Sequence, residues 1–318
     1  MEQTYGRGLF GSFAFFTLSL GASSVDLIIL LLTFLTMQPQ VHECTFADPQ
    51  PSDVVAACTV ENICAADSMI ASYEVDWSSQ YSLHNWVEKL DLLCSKKVQI
   101  GMLGASFFAG WITTLLWLPR LSDMYTRKKI FGTGLLVNTF VFIGILTTRR
   151  LEEMIAYVFV LGIMTTTRNS VCFVYLMELL PKRMQSTYGG NFNALNSSIL
   201  PCAILYFWFV SNDWIYIHYL GLTVQVMCLV CVVFLPESPR LLIELQKLEE
   251  ARQSFQRIAQ VNKCHLEFNE KDFRRPSSSD KKEGETGTGK PLAYWFAQPK
   301  IRTNLVVMTV IWTAATFN

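Results

Sequence analysis

The chain has 318 residues, 51% hydrophobic and 16% charged, with 26 basic and 26 acidic residues and no net charge. A soluble domain carries about a quarter charged residues, so a large soluble core is disfavoured, and without a basic field nucleic acid is not expected as a partner. His42, His84, His218 and His265 show no metal spacing and no Gly-rich phosphate loop precedes a helix, so the residues give no basis for an enzyme, a metal or a cofactor.

In chain order, seven apolar stretches approach the roughly 20 residues needed to cross a bilayer. They are Leu9–Met37, Val98–Leu118, Ile130–Thr147, Ile155–Leu180, Asn191–Val210, Ile215–Leu235 and Ile301–Phe317. The first is too long for the roughly 7–15-residue core of a signal peptide and is expected to be one spanning helix. The fifth is the least apolar, with Asn191, Asn193 and Asn196 near its start and Pro201 in its middle. The letters Asn196-Ser197-Ser198 make a glycosylation sequon, but within a span it is out of reach. In the second span, Gly101, Gly104, Ala105 and Gly110 are small enough to let helices approach closely.

Loop charges set the orientation. Arg120, Arg127, Lys128 and Lys129 follow the second span, Lys182 and Arg183 the fourth, and Arg240 the sixth. That side is expected to be cytosolic, together with the N-terminus. The 38–97 loop lies opposite and holds Cys44, Cys58, Cys64 and Cys94. Four cysteines in an extracytosolic loop favour two disulfides, with three possible pairings. Cys228 and Cys231 fall within a span and read as packing residues, not as a redox or zinc pair.

Pro236-Glu237-Ser238-Pro239-Arg240 ends the sixth span, since two prolines three apart cannot continue a helix. Beyond it, Leu241 to Asn262 has the apolar spacing of a surface helix. Lys271 to Lys290 is rich in charge, Ser and Gly and reads as a tether. Two ionisable residues fall near mid-membrane, Asp26 in the first span and Arg168 in the fourth. Such residues usually face the bundle interior and pair. By helical spacing Arg168 shares a face with Tyr157, Met164, Cys172 and Tyr175, and Asp26 with Phe15, Ser23 and Thr33.

Four residue groups resemble one family. Pro39, His42 and Cys44 are similar to a Pro-x-His-x-Cys pattern opening a large cysteine-bearing loop, here one residue longer. Asp91-Leu92-Leu93-Cys94 resembles that loop's end. Leu121-Ser122-Asp123-Met124-Tyr125-Thr126-Arg127-Lys128 resembles G-x-L-S-D-R-x-G-R-[RK]. Pro236–Arg240 with Leu241-Leu242 resembles P-E-S-P-R-x-L. These are the marks of the major facilitator superfamily, and within it of the organic cation/anion/zwitterion transporter branch. The chain departs from them at Pro119, Met124, Thr126, Gln185 and Ser186.

The resemblance implies an all-α membrane protein. Residues 1–235 would be the N-terminal six-helix bundle, 236–300 a cytosolic loop, and 301–318 a seventh helix cut short. The implied activity is alternating-access transport of a small organic ion at the plasma membrane. The lipid bilayer would be the surrounding partner, and a second half would close the cavity. Asp26 and Arg168 would face each other across the path, with Tyr157, Cys172 and Tyr175 as further substrate contacts. Asp123, Arg127, Glu178, Glu237 and Arg240 would form a cytosolic latch, with Arg183 as a substitute partner for Glu178. The alternative is a non-transporting half that serves as membrane scaffold or modulator.

Overall fold

The computed structural model describes residues 8–24, 26–46, 60–64, 70–77, 79, 82–115 and 117–264, with a few positions between 298 and 307. Residues 1–267 form one compact unit and 268–318 another. In the second, Arg302 N–H donates to the Gln298 carbonyl at 3.1 Å. The expected tether lies outside the described residues, as does most of the seventh span.

The first span departs from expectation. Instead of one helix over Leu9–Met37 there are three: α1 (Leu9–Ser23), α2 (Asp26–Leu30) and α3 (Leu32–Leu35). The main break follows the Ser23-Ser24 pair. Ser24 Oγ donates to the Gly21 carbonyl at 3.1 Å, a local bond that competes with the helical ladder. The Ala22 carbonyl is taken at 2.6 Å by Arg168. Phe15 and Ser23 therefore do not share a continuous helical face with Asp26.

Strands β1 (Val41–Phe46) and β2 (Ile70–Val75) pair antiparallel, a small ribbon that the hydropathy of the loop does not signal. Between them lies α4 (Val60–Ile63), and α5 (Trp86–Lys89) follows the ribbon. Cys64 and Cys94 form a disulfide. Cys58 and the side chain of Cys44 lie outside the described residues.

Next come α6 (Lys97–Leu115), α7 (Leu118–Met124), α8 (Arg127–Thr147) and α9 (Leu151–Thr166). A π-turn over Thr167–Val171 joins α9 to α10 (Cys172–Leu179), and α11 (Lys182–Phe209) and α12 (Trp214–Phe234) complete the bundle. Five helices among the described residues are long and apolar enough to cross a membrane: α6, α8, α9 through α10, α11 and α12. Their outward side chains, among them Phe140, Trp208, Phe209, Leu220 and Phe234, are exposed. An apolar exterior on helices of this length suits hydrocarbon, not water.

The amphipathic helix expected over Leu241–Asn262 is two helices, α13 (Pro239–Glu244) and α14 (Leu248–Val261), separated at Gln246, where φ is 61°. Pro239 occupies the first turn of α13, where its missing N–H costs nothing. Ser238 Oγ accepts the Leu241 N–H at 3.2 Å. The proline pair therefore ends one helix and starts another. Two apolar clusters form the core. One, around Trp86, Phe142 and Trp214, sits at the disulfide end. The other, around Phe10, Phe131, Tyr175 and Leu235, sits at the Pro236 end.

The closest helix approach is α6 on α9. A Cβ on Gly110 would collide with the Phe159 carbonyl, and one on Gly162 with the Phe107 carbonyl. Gly101 meets nothing and Gly104 only the Leu32 side chain at 3.6 Å, so within the small-residue stripe Gly110 makes the close contact. Gly110→Ala and Gly162→Ala should each lower the melting temperature in detergent, since overpacking of this kind costs about 1–3 kcal/mol. Gly101→Ala should leave it unchanged or raise it slightly through helix propensity.

Candidate functional site

Inside the bundle a guanidinium and a carboxylate meet between the first and fourth spans. Arg168 Nη1 donates to Asp26 Oδ1 at 3.1 Å and to the Ala22 carbonyl at 2.6 Å. Its Nη2 donates to Thr165 Oγ1 at 3.2 Å, and its Nε has no partner among the described residues. The Arg168 side chain is fully buried, whereas Asp26 keeps 16% of its side chain exposed. Local sequence creates both halves. The helix break frees the Ala22 carbonyl. The π-turn begins within Thr165-Thr166-Thr167, where Thr165 Oγ1 bonds back to the Leu161 carbonyl at 2.9 Å and Thr167 Oγ1 to that of Met164. Such back-bonding loosens the ladder, and single π-turns often carry functional side chains.

Two of the other expected contacts of Arg168, Tyr157 and Tyr175, are not gathered around this pair. Cys172 is buried, with its Sγ 3.3 Å from the Leu18 carbonyl. Tyr175 is fully buried and its hydroxyl donates to the Pro236 carbonyl, so it belongs to the opposite core cluster. Tyr157 lies toward the disulfide end, its ring filling the space over Gly144. Two buried polar groups escaped the sequence reading because neither is ionisable. Gln225 Nε2 donates to the Leu135 carbonyl at 3.2 Å and to Thr139 Oγ1 at 3.1 Å. Asn138 is fully buried, and neither of its amide atoms has a partner among the described residues.

The charges at the Pro236 end form one cluster. Arg127 is nearly buried and lies 2.6 Å from Asp123 and 3.2 Å from Glu178. Its Nη1 donates to Ser122 Oγ at 2.5 Å. Glu178 therefore takes Arg127 as its partner; Arg183, the expected substitute, is exposed. Arg240 donates to the Leu180 carbonyl at 3.1 Å. Glu237 Oε2 is buried without a hydrogen-bond partner among the described residues, and the Lys128 charge lies near it.

At the disulfide end, residues 82–93 clasp the helix termini. Asn85 Nδ2 donates to the Phe34 and Met37 carbonyls at 2.9 and 2.7 Å, closing the end of the first span. Lys89 Nζ donates to the Ile145 and Leu146 carbonyls at 2.8 and 2.9 Å, closing α8. The His84 backbone bonds to Asn212 and Trp214 in the turn before α12. Trp86 is fully buried and meets Trp214 edge to face at 6.2 Å. Burial, and then the nearby Arg149 charge, bring the Lys89 ammonium down to about 8.

A bundle of apolar helices with a buried ion pair between its first and fourth spans is the frame of a polytopic membrane protein with a polar interior. The family model described as "Sugar (and other) transporter" matches residues 55–318. The chain belongs to this family of the major facilitator superfamily, and within it is organic cation transporter-like. It is 30% identical over 205 residues to Solute carrier family 22 member 4 of Mus musculus, covering 62% of this chain and 35% of the relative. Organic cation/carnitine transporter 2 of Mus musculus is 29% identical over 203 residues, covering 62% and 35%. Sugar transporter ERD6 of Arabidopsis thaliana is 27% identical over 165 residues, covering 50% and 32%. The alignments thus cover about a third of the length of these relatives.

The Arg127 cluster yields a graded prediction. Asp123 is 64% exposed and Glu178 16%, so solvent screens the first pair far more than the second. Glu178→Gln should cost on the order of 2 kcal/mol in unfolding stability, and Asp123→Asn under about 0.5 kcal/mol. Thermal melts of both variants and of the double variant would measure the difference.

Proposed function

We propose that the chain forms the substrate-holding half of a secondary transporter for small organic ions, with cations preferred, working by alternating access. The observation that supports the cation preference is the asymmetry of the buried pair. Arg168 is sealed and committed to Ala22, Thr165 and Asp26, while Asp26 retains an open edge. A carboxylate in a poorly solvated interior attracts a cation far more strongly than the same group in water. Arg168 then serves as the fixed counter-charge that holds Asp26 in place. The names of the organic cation relatives support the same substrate class. In this reading Arg127, with Asp123 and Glu178, holds the cytosolic end closed. Glu237 and Arg240 form the neighbouring layer and exchange partners as the halves rock.

The test is uptake of radiolabelled tetraethylammonium into vesicles carrying the full chain. Asp26→Asn should reduce uptake by roughly tenfold or more, the value of one charge-assisted contact, and Asp26→Glu should retain part of it. A melting curve for each variant checks that the bundle still folds around Arg168. Equal uptake by Asp26→Asn and the parent would remove Asp26 from the substrate path. No uptake by the parent would overturn transport by this chain.

A further inference from the structure

Away from the buried pair, a groove of about 420 Å³ runs between α11 and α12, with the first span as its floor. The floor is the helix break itself, where Ser23, Ser24 and Leu27 form the base. On one side α11 holds the break, through the hydrogen bond from Ser23 Oγ to Asn196 Oδ1. On the other side α12 approaches it at Gly221, where a Cβ would meet the Leu27 side chain at 2.9 Å and the Ser24 carbonyl at 3.2 Å. The groove remains between these two contacts. Along α11 its lining runs from Leu195 to Tyr206, about 16 Å at 1.5 Å per residue. Leu195 is at the middle of α11 and Tyr206 is near the disulfide end. The groove therefore covers about half of the roughly 30 Å hydrocarbon thickness, the depth of one leaflet.

Its lining suits hydrocarbon. No charged residue contributes to it. Each hydroxyl proton is engaged inside the protein. Ser23 donates to Asn196, and Ser24 to the Gly21 carbonyl at 3.1 Å. Ser198 donates to the Leu195 carbonyl at 2.7 Å, and Tyr206 to the Asp213 carbonyl at 2.9 Å. The remaining donor is the free Cys202 thiol, a weak one. An organic ion or a sugar would lose its hydration here without a replacement. The rims are open. Cys202 on α11 and Leu220 on α12 are exposed, and Leu220 belongs to the apolar exterior of the bundle. A groove at membrane depth that is continuous with this exterior meets lipid, since the bilayer core holds no water.

We propose that the groove is a binding site for the acyl chain of a lipid from the leaflet at the disulfide end. The chain lies along α11 and α12, and its methyl end rests on the Ser23–Ser24 break. An unbranched apolar chain running parallel to the helices has the length, the direction and the lack of polarity that the lining requires. A void in its place would leave the lining without dispersion partners. Packed on Leu27 and Ser24, the chain end braces the break that frees the Ala22 carbonyl for Arg168. The site opens toward lipid and takes no charge, so it does not depend on the cation reading.

The experiment is photo-cross-linking of the full chain in phosphatidylcholine nanodiscs. One probe is phosphatidylcholine with a diazirine at the methyl end of its acyl chain, and a second carries the diazirine beside the ester. Peptide mass spectrometry should find the first probe on Ser23, Ser24 and Leu27, and the second near Tyr206 and Ile217. Cys202→Phe and Ser198→Phe fill the groove from exposed positions and should each lower this labelling by roughly fivefold or more. Leu205→Phe, exposed on the same helix outside the groove, should leave it unchanged. Melting curves check that each variant folds. Labelling spread evenly over all the spans would overturn the proposal, as would undiminished labelling in the two filled variants. The reverse order of the two probes would overturn it as well. So would a bismaleimide bridge between two chains through Cys202, which would put a second copy over the groove.

Discussion

A spanning helix that stops or breaks within a bilayer leaves carbonyl oxygens with no water to bond, and each such oxygen costs several kcal/mol. This constraint organises the molecule. Arg168 takes the carbonyl freed by the break in the first span. Asn85 takes those at the end of that span, and Lys89 those at the end of α8. Lys128 reaches the Val233 and Leu235 carbonyls at the end of α12. Gln185 and Arg240 share the Leu180 carbonyl at the end of α10. In each case the donor comes from another element, so closing a helix end also fixes the packing of two parts of the chain.

The same logic explains how a charge comes to lie buried inside the bundle without an independent source of stability. Arg168 carries five donors, and a continuous first span would offer few acceptors. The break supplies the Ala22 carbonyl, and Asp26 one turn later supplies the counter-charge. Break and arginine stabilise each other. Removal of either leaves a buried group unsatisfied in the other. This reciprocity distinguishes the pair from the exposed Arg150–Glu153 pair, 3.6 Å apart, where water can replace either partner.

Much of this frame was legible in the sequence. Spans two to six follow from apolar run length, because crossing hydrocarbon is a requirement on composition. The proline pair at 236 and 239 marked a helix boundary, because proline acts through its own backbone. The meeting of Asp26 and Arg168 was legible because unpaired charges in lipid are too costly to leave apart. What escaped depends on hydrogen bonds between distant residues. Ser24 and the three threonines at 165–167 look innocuous in a hydropathy window, yet their hydroxyls redirect the ladder. Asn85 and Lys89 read as ordinary loop polarity until the carbonyls they serve are in view. Helical spacing also grouped Tyr175 with Arg168, but cannot show that its hydroxyl is committed to Pro236.

The clasp at residues 82–93 has a consequence for biosynthesis. Its acceptors in α8 and its partners before α12 are encoded far downstream, so the segment leaves the ribosome long before they do. Trp86, fully buried in the finished bundle, must wait among unfinished neighbours while the intervening helices are inserted. The Cys64–Cys94 bridge needs only residues already made. Once formed, it ties the waiting segment into a closed loop, which limits the range of wrong partners that an exposed tryptophan could find. The molecule thereby separates the closing of its outer loop from the docking of that loop, and only the second step depends on the last helices of the bundle.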